Sequence, residues 1–347
     1  MVFHLAFKEP VSTVTGFSNS AYNHPMSTHL TPPEVTALFA GYSLGAYITH
    51  APLTAGSVET NIRVTTTQGD FVLRIYENRT FNQVLFECAV LEHLAQHDFP
   101  APRVHRSRAG QAVGRIKSKP YAIFSYLPGE HVNSLTAQQK TQLVEQIARL
   151  HRITEGFQPP HTADRWNYNP DCLVKLAEVE TRKLSTANAQ RKLAWYRQAI
   201  ARLELPAALP RGVVHADFDP SNLLFHKDAF QALIDFDDAN YSVLIYDLAA
   251  VTDVFIPAFN HDTWMKFKPQ SAVFDLQPLR ETVQAYSRIR PLSPLEQRHL
   301  FDVCQMLVFV DCLWFYARGD AADFYERRKI NCFKVLGREA FQRAVFG

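Results

Sequence analysis

Long hydrophobic runs are scarce in this chain. The longest mostly apolar stretch, Met306 to Ala317, covers 12 residues and is interrupted by Asp311, well short of the roughly 20 needed to cross a bilayer. It reads as a buried helix, and no membrane partner is expected. Cysteine is scarce too: the five present, Cys88, Cys172, Cys304, Cys312 and Cys332, are odd in number, widely spaced and never in a C-x-x-C pair. That pattern supports neither a disulfide framework nor a zinc knuckle, and a reducing cytoplasm is the expected compartment. An excess of one charge is also lacking. Lys plus Arg number 36 against 34 Asp plus Glu, a formal net charge of +2, which argues against a nucleic-acid partner held by phosphate contacts. No internal repeat or low-complexity tract is apparent, and the first 25 residues carry neither a basic lead-in nor an uninterrupted apolar run of signal-peptide length.

What is present is 347 residues with 47% hydrophobic and 20% charged side chains, the composition of an ordinary globular protein with about two domains or lobes at roughly 150 residues each. Residues 1–27 are rich in Ser, Thr, Asn and Pro without a sustained period and are expected to form a flexible extension, with Met26 an alternative start. Thr31-Pro32-Pro33-Glu34 has the layout of a capping box opening a helix. Strand-like runs follow at Thr60 to Thr67 and Phe71 to Tyr76, with Gln68-Gly69-Asp70 as the hairpin signal between them. Val84, Leu85, Cys88, Leu91 and Leu94 line one face of a helix that Pro100-Ala101-Pro102 ends, and strands are expected at Val104 to Arg106 and Tyr121 to Tyr126. Beyond about residue 135 the pattern turns helical: a helix ends near His151, and Leu173 to Arg202 reads as one long helical region. Short β-runs at Gly212 to His215, Leu223 to Phe225 and Ala232 to Phe236 interrupt it.

The chemistry concentrates in residues 211–238, RGVVHADFDPSNLLFHKDAFQALIDFDD. His215-x-Asp217-x-x-x-x-Asn222 follows an apolar strand, and eighteen residues after Asp217 a second apolar run delivers Asp235. An ATP-dependent phosphotransferase needs a carboxylate to accept a hydroxyl proton, and oxygen ligands to hold magnesium on the nucleotide phosphates. Asp217 is the candidate for the first role; Asn222 and Asp235 are candidates for the second. The bland reading of both aspartates is that they are turn or cap residues ending strands.

This segment resembles the catalytic loop of the aminoglycoside phosphotransferase and choline kinase superfamily. The resemblance implies an α+β, bilobal, protein-kinase-like fold with a small β-rich lobe carrying one long helix and a larger, mostly helical lobe. It further implies ATP and Mg²⁺ as cofactors, His215 as structural, Asp217 as catalytic base, Asn222 and Asp235 as metal ligands, and Asp247 as a brace for the loop. Ala216 and Asp237 stand where protein kinases have Arg and Gly, which favours a small-molecule kinase. The stretches LTPPEVTALFAGYSLG, TNIRVTTTQGDFVLRIYE, LPRGVVHADFDPSNLLF and LIYDLAAV are each similar to blocks of homoserine kinase type II, in the same order, and the expected acceptor is therefore homoserine. Aminoglycoside or choline-like kinases and a nucleotide-binding pseudokinase are the alternatives. The family's Gly-Ile-Glu-Asn-Thr-Asn turn appears as Gly56-Ser57-Val58-Glu59-Thr60-Asn61, which keeps only the Thr-Asn end.

By the same likeness, backbone amides at Gly56 and Ser57 would cover the phosphates, although a plain β-turn reads equally well there. Arg74 stands where most relatives carry the phosphate-pairing Lys, with Glu87, or alternatively Glu92, as its partner. Backbone groups of Ser125 and Leu127 would recognise adenine at the hinge. The expected domains are 1–27, 28–127 covering the nucleotide, and 128–347 carrying catalysis and acceptor, in a monomer or homodimer. For the acceptor ammonium, Asp219, Asp237 and Asp238 are candidates; the aromatics Trp314, Phe315 and Tyr316 could serve a choline-like cation, but at helical spacing such residues are more often core. A cation for an acceptor carboxylate is not evident in the sequence.

Overall fold

The computed structural model describes residues 28–53, 59–256, 271–314 and 325–347. Residues 1–27, Gly56, Ser57, Phe315, Tyr316 and the side chain of Trp314 lie outside what is described. The chain opens with helix α1 (Pro32–Phe39), where the Glu34 carboxylate accepts from the Thr31 N–H at 2.7 Å, closing the capping box. Strands β1 (Tyr47–Pro52), β2 (Thr60–Thr66), β3 (Gly69–Ile75), β4 (Val104–His105), β5 (Gly114–Ile116) and β6 (Lys119–Ser125) make one antiparallel sheet. Its order is β1-β2-β3-β6-β4, with β5 also on β6. Thr66 pairs with Gly69, so the hairpin turns at Thr67-Gln68, one residue earlier than the sequence suggests. Gly69 sits at φ +130°, where a β-carbon is strained. Alternation along β2 buries Ile62 and Val64 against Val35 and Phe39 of α1, with Leu73, Ile75 and Ile123 completing a small core.

Helix α2 (Phe81–Gln96) buries Val84, Cys88, Leu91 and Leu94, as its periodicity predicts, but that stripe joins the large core rather than the one under α1. The rest of the chain is helix α3 (Ala137–Thr154), helices α4 (Pro170–Leu184) and α5 (Ala187–Ile200), and strand β7 (Arg211–Val214). Strands β8 (Leu223–His226), β9 (Ala229–Leu233) and β10 (Asn240–Val243) follow, then helices α6 (Ile245–Ala250), α7 (Gln277–Ser287), α8 (Pro294–Trp314), α9 (Tyr325–Leu336) and α10 (Arg338–Phe346). Helix α8 buries Leu300, Val303, Met306 and Phe309 and packs against α4, α5, α6, α9 and α10. Among the described residues no helix is long and apolar enough to cross a membrane.

The expected single helix from 173 to 202 is two. Ser185 enters the left-handed region at φ +53° and the Thr186 side chain accepts from Ala189 N–H at 3.1 Å, capping α5. Strands β1, β5 and β10 carry no strong alternation and are not evident in the sequence. The expected strand ending at Phe236 stops at Leu233, because Asp235 adopts φ +65° and turns the chain out of the ladder. The result is the α+β, bilobal, kinase-like architecture, in which β3, α2, β7–β10 and α6 converge on one cleft.

Candidate active site

Strand β7 delivers His215, Ala216 and Asp217 to the cleft. Ala216 sits at φ +67°, a conformation costing a non-glycine residue about 1 kcal/mol or more. Asp247, fully buried at the start of α6, holds it there: Oδ2 accepts from His215 N–H at 2.9 Å and Oδ1 from Ala216 N–H at 3.0 Å. His151 on α3 contacts the same Oδ2 through Nε2 at 3.0 Å, and its Nδ1 meets the Tyr286 hydroxyl at 2.8 Å. Burial lowers the His215 pKa, so the ring is neutral; Nε2 donates to the Ile234 carbonyl at 3.0 Å and Nδ1 accepts from Asp217 N–H at 3.3 Å.

Asp217 is therefore fixed through its backbone, and one carboxylate oxygen is fixed too. Asn222 Nδ2 donates to Asp217 Oδ2 at 2.8 Å, whereas Oδ1 is buried without a hydrogen-bond partner among the described residues. Burial pushes the carboxyl up to about 7, with Asp238 and Asp235 adding to the rise. Asp219 Oδ1 caps the short 3-10 turn Pro220–Asn222, accepting from Ser221 N–H at 2.8 Å and Ser221 Oγ at 2.6 Å. Asp235 is about one-third exposed, and its Oδ1 accepts from Arg74 Nη2 at 2.7 Å. Asn222 offers an amide oxygen and Asp235 a carboxylate, hard donors of the kind magnesium takes alongside phosphate oxygens.

Arg74 and Glu87 do not hydrogen-bond to each other. Arg74 lies over the Tyr76 ring, 5.3 Å from its centroid, and the Tyr76 hydroxyl donates to Glu87 Oε2 at 2.9 Å. Burial raises Glu87 to about 7 against the opposing charge of Arg74. Glu92 is on the far side, bound through both oxygens to Arg106 at 2.7 Å. The Ser125 N–H donates to the Arg103 carbonyl at 2.9 Å, so of its backbone groups only the carbonyl is a candidate for adenine; Leu127 follows and is half-buried.

Asp237 and Asp238, the sequence candidates for an acceptor ammonium, lie beside Arg79: Nε and Nη2 donate to the two Asp237 oxygens at 2.8 and 2.6 Å, and Nη2 approaches Asp238 Oδ1 at 3.4 Å. Burial works against ionisation, yet the Arg79 hydrogen bonds and the charges of Arg74, Arg79 and Arg165 hold Asp237 down at about 2. Arg165 donates to the Ala239 carbonyl at 2.8 Å and also to that of Asp237, and Trp166 lies between the Arg79 and Arg165 guanidiniums at 4.3 and 4.4 Å. Arg79, Arg165, Tyr76 and His151 are the residues that sequence reasoning missed. The one signal for the first two is the density of buried acids, which demands cations without saying which.

The buried, braced Asp217 on an α+β, bilobal fold is compatible with a phosphotransferase, and the relatives of the chain show that class. Residues 49–289 match the Phosphotransferase enzyme family, and the chain belongs to it. It is 30% identical to a homoserine kinase of Methylobacterium nodulans, covering 80% of this chain and 83% of that one, and 28% identical to a homoserine kinase of Bartonella henselae, covering 78% and 81%. Among solved structures, an amicoumacin kinase in complex with AMP-PNP and Ca²⁺ aligns with a TM-score of 0.60 at 16% identity, covering 90% of this chain and 94% of that one. A spectinomycin phosphotransferase in complex with ADP and spectinomycin aligns at 0.55 and 9% identity, covering 92% and 99%. Both share the fold. The protein is thus an enzyme, a kinase that phosphorylates an alcohol group.

Proposed function

We propose that the protein transfers the γ-phosphoryl group of ATP, with Mg²⁺, to the hydroxyl of a small amino-alcohol or amino acid, and that homoserine is the acceptor. The observation that carries the reading is Asp217, with one oxygen held by Asn222 and the other buried without a hydrogen-bond partner among the described residues. A carboxyl poised near 7 is matched to taking a hydroxyl proton at neutral pH. Asn222 and Asp235 would hold the metal, which when bound offsets the charge on the transferring phosphoryl group. Arg74 would pair with phosphate oxygens once released from Asp235. In this reading residues 28–127 cover the nucleotide and 128–347 carry catalysis and acceptor.

Homoserine kinases at 28 to 30% identity over about four-fifths of the chain support homoserine as the acceptor. An aminopropanol kinase with a TM-score of 0.51 supports the wider class of amine-bearing alcohols. The test is an ATP-consumption screen with homoserine, choline and aminoglycosides as acceptors. Magnesium-dependent consumption is expected with homoserine. Consumption with another acceptor alone would replace homoserine, and nucleotide binding without consumption would make the protein a pseudokinase.

A further inference from the structure

The brace Asp247 is itself held from behind, by a chain of buried side chains that runs away from the cleft. Asp247, His151 and Tyr286 are fully buried, and Arg290 and Glu296 nearly so. Tyr286 stands on α7, which packs on α3, and Arg290 lies just past the end of α7. Arg290 Nη1 donates to the Tyr286 hydroxyl at 3.2 Å and to Glu296 Oε1 at 2.7 Å, and its Nε donates to Glu155 Oε2 at 3.0 Å. The other Glu296 oxygen accepts from the Ser293 N–H and Oγ, both at 2.9 Å. Arg290 thus joins the end of α3, the end of α7 and the first turn of α8.

The chemistry of the groups fixes which way each proton points. A guanidinium only donates, so the Tyr286 oxygen accepts from Arg290. Burial pushes the phenol up, so it keeps its proton at neutral pH, and His151 Nδ1, 2.8 Å away, is its one acceptor among the described residues. Across the ring, Asp247 as a carboxylate only accepts, so Nε2 carries the imidazole proton and donates it to Oδ2 at 3.0 Å. A proton on Nδ1 instead would leave the buried Tyr286 O–H with nothing to donate to. His151 is thereby held in one tautomer, and Asp247 meets three N–H groups: that of the His151 ring and those of the His215 and Ala216 backbone.

We propose that Tyr286 and Arg290 are positioning residues for phosphoryl transfer. They hold the His151 ring with Nε2–H toward Asp247, and through Asp247 they keep Ala216 at φ +67° and Asp217 in place. This rests on the Asp217 reading above and extends the control of that residue to the far end of α7.

The test measures the melting temperature of each variant together with kcat and KM, for ATP and for homoserine or whichever acceptor the wild type turns over. Tyr286→Phe, which keeps the ring and removes only the hydroxyl, is expected to lower kcat about 10- to 100-fold, the range for a lost outer-shell partner, with both KM values little changed. Arg290→Met/Glu296→Gln, which strands no buried charge, should lower kcat less, and Arg290→Lys, which keeps a donor, should retain most of it. Leu279→Ala, a buried truncation on α7 outside the chain of hydrogen bonds, should lower the melting temperature and leave kcat alone. Nitrogen NMR of labelled histidine reads the direction without turnover: His151, assigned by its absence in His151→Gln, should show Nε2 protonated and Nδ1 bare. A proton on Nδ1 overturns the chain. Tyr286→Phe at wild-type kcat, or no slower than Leu279→Ala at equal melting temperature, overturns the positioning role and leaves the Asp217 reading intact. Turnover retained in Asp217→Asn but lost in Tyr286→Phe overturns the Asp217 reading and keeps the positioning role. Wild type without turnover of any acceptor overturns both.

Discussion

In the proposed reading, Asp217 owes its role as proton acceptor to two opposed demands on one carboxylate. Asn222 fixes Oδ2, while burial with Asp235 and Asp238 nearby makes the charge on Oδ1 expensive. Replacing it with Asn removes the proton acceptor but keeps the shape, so Asp217→Asn should lower kcat by about 10²- to 10⁴-fold and leave nucleotide affinity intact, as read by single-turnover kinetics and titration. Burial that raises the carboxyl to about 7 in the metal-free protein also acts on stability. The carboxyl binds its proton more tightly folded than unfolded, where the value is about 3.9, so it contributes less stability as pH rises from about 4 to about 7. Asp217→Asn should flatten that decline and melt no lower than the parent at pH 8.

At the scale of elements, α2 is tied to the catalytic half of the molecule by charge as well as by its apolar stripe. Arg79, just ahead of its N-cap Thr80, grips Asp237 through both oxygens, and both side chains are mostly buried. Removing one partner of such a pair leaves a buried charge, so Arg79→Ala should cost about 3–5 kcal/mol in denaturant unfolding, and Arg79→Met/Asp237→Asn should recover part of it. The caps at Thr31, Thr80 and Thr136 and the stripe of α2 are legible because they depend on residues three or four apart. The break at Ser185 is not: both flanking segments are helical by pattern, and only a left-handed residue followed by a new cap divides them. Strands β1 and β10 are hidden for a related reason, since what makes them strands is the neighbour they pair with.

Across the whole molecule, the Arg74–Asp235 pair closes the cleft between β3 and the catalytic turn. A nucleotide with its metal that binds only the folded state should raise stability by about 2.7 kcal/mol at a hundredfold excess over Kd. Asp235→Ala should abolish the magnesium-dependent part of that gain in thermal unfolding while leaving any metal-free nucleotide effect.

The sequence alone determined the local arrangement of residues 215–235: the strand, the turn and the second acidic residue are close in the chain, so spacing reports on geometry. Hydrophobic period and caps marked a β-rich part followed by a helical one, and the resemblance of the catalytic-loop segment implied the kinase-like class of fold. The countercharges belong to the tertiary structure. Arg79 meets Asp237 across 158 positions and Arg74 meets Asp235 across 161. A buried acid takes as its partner whichever cation the packing brings within reach, and no local period records that choice.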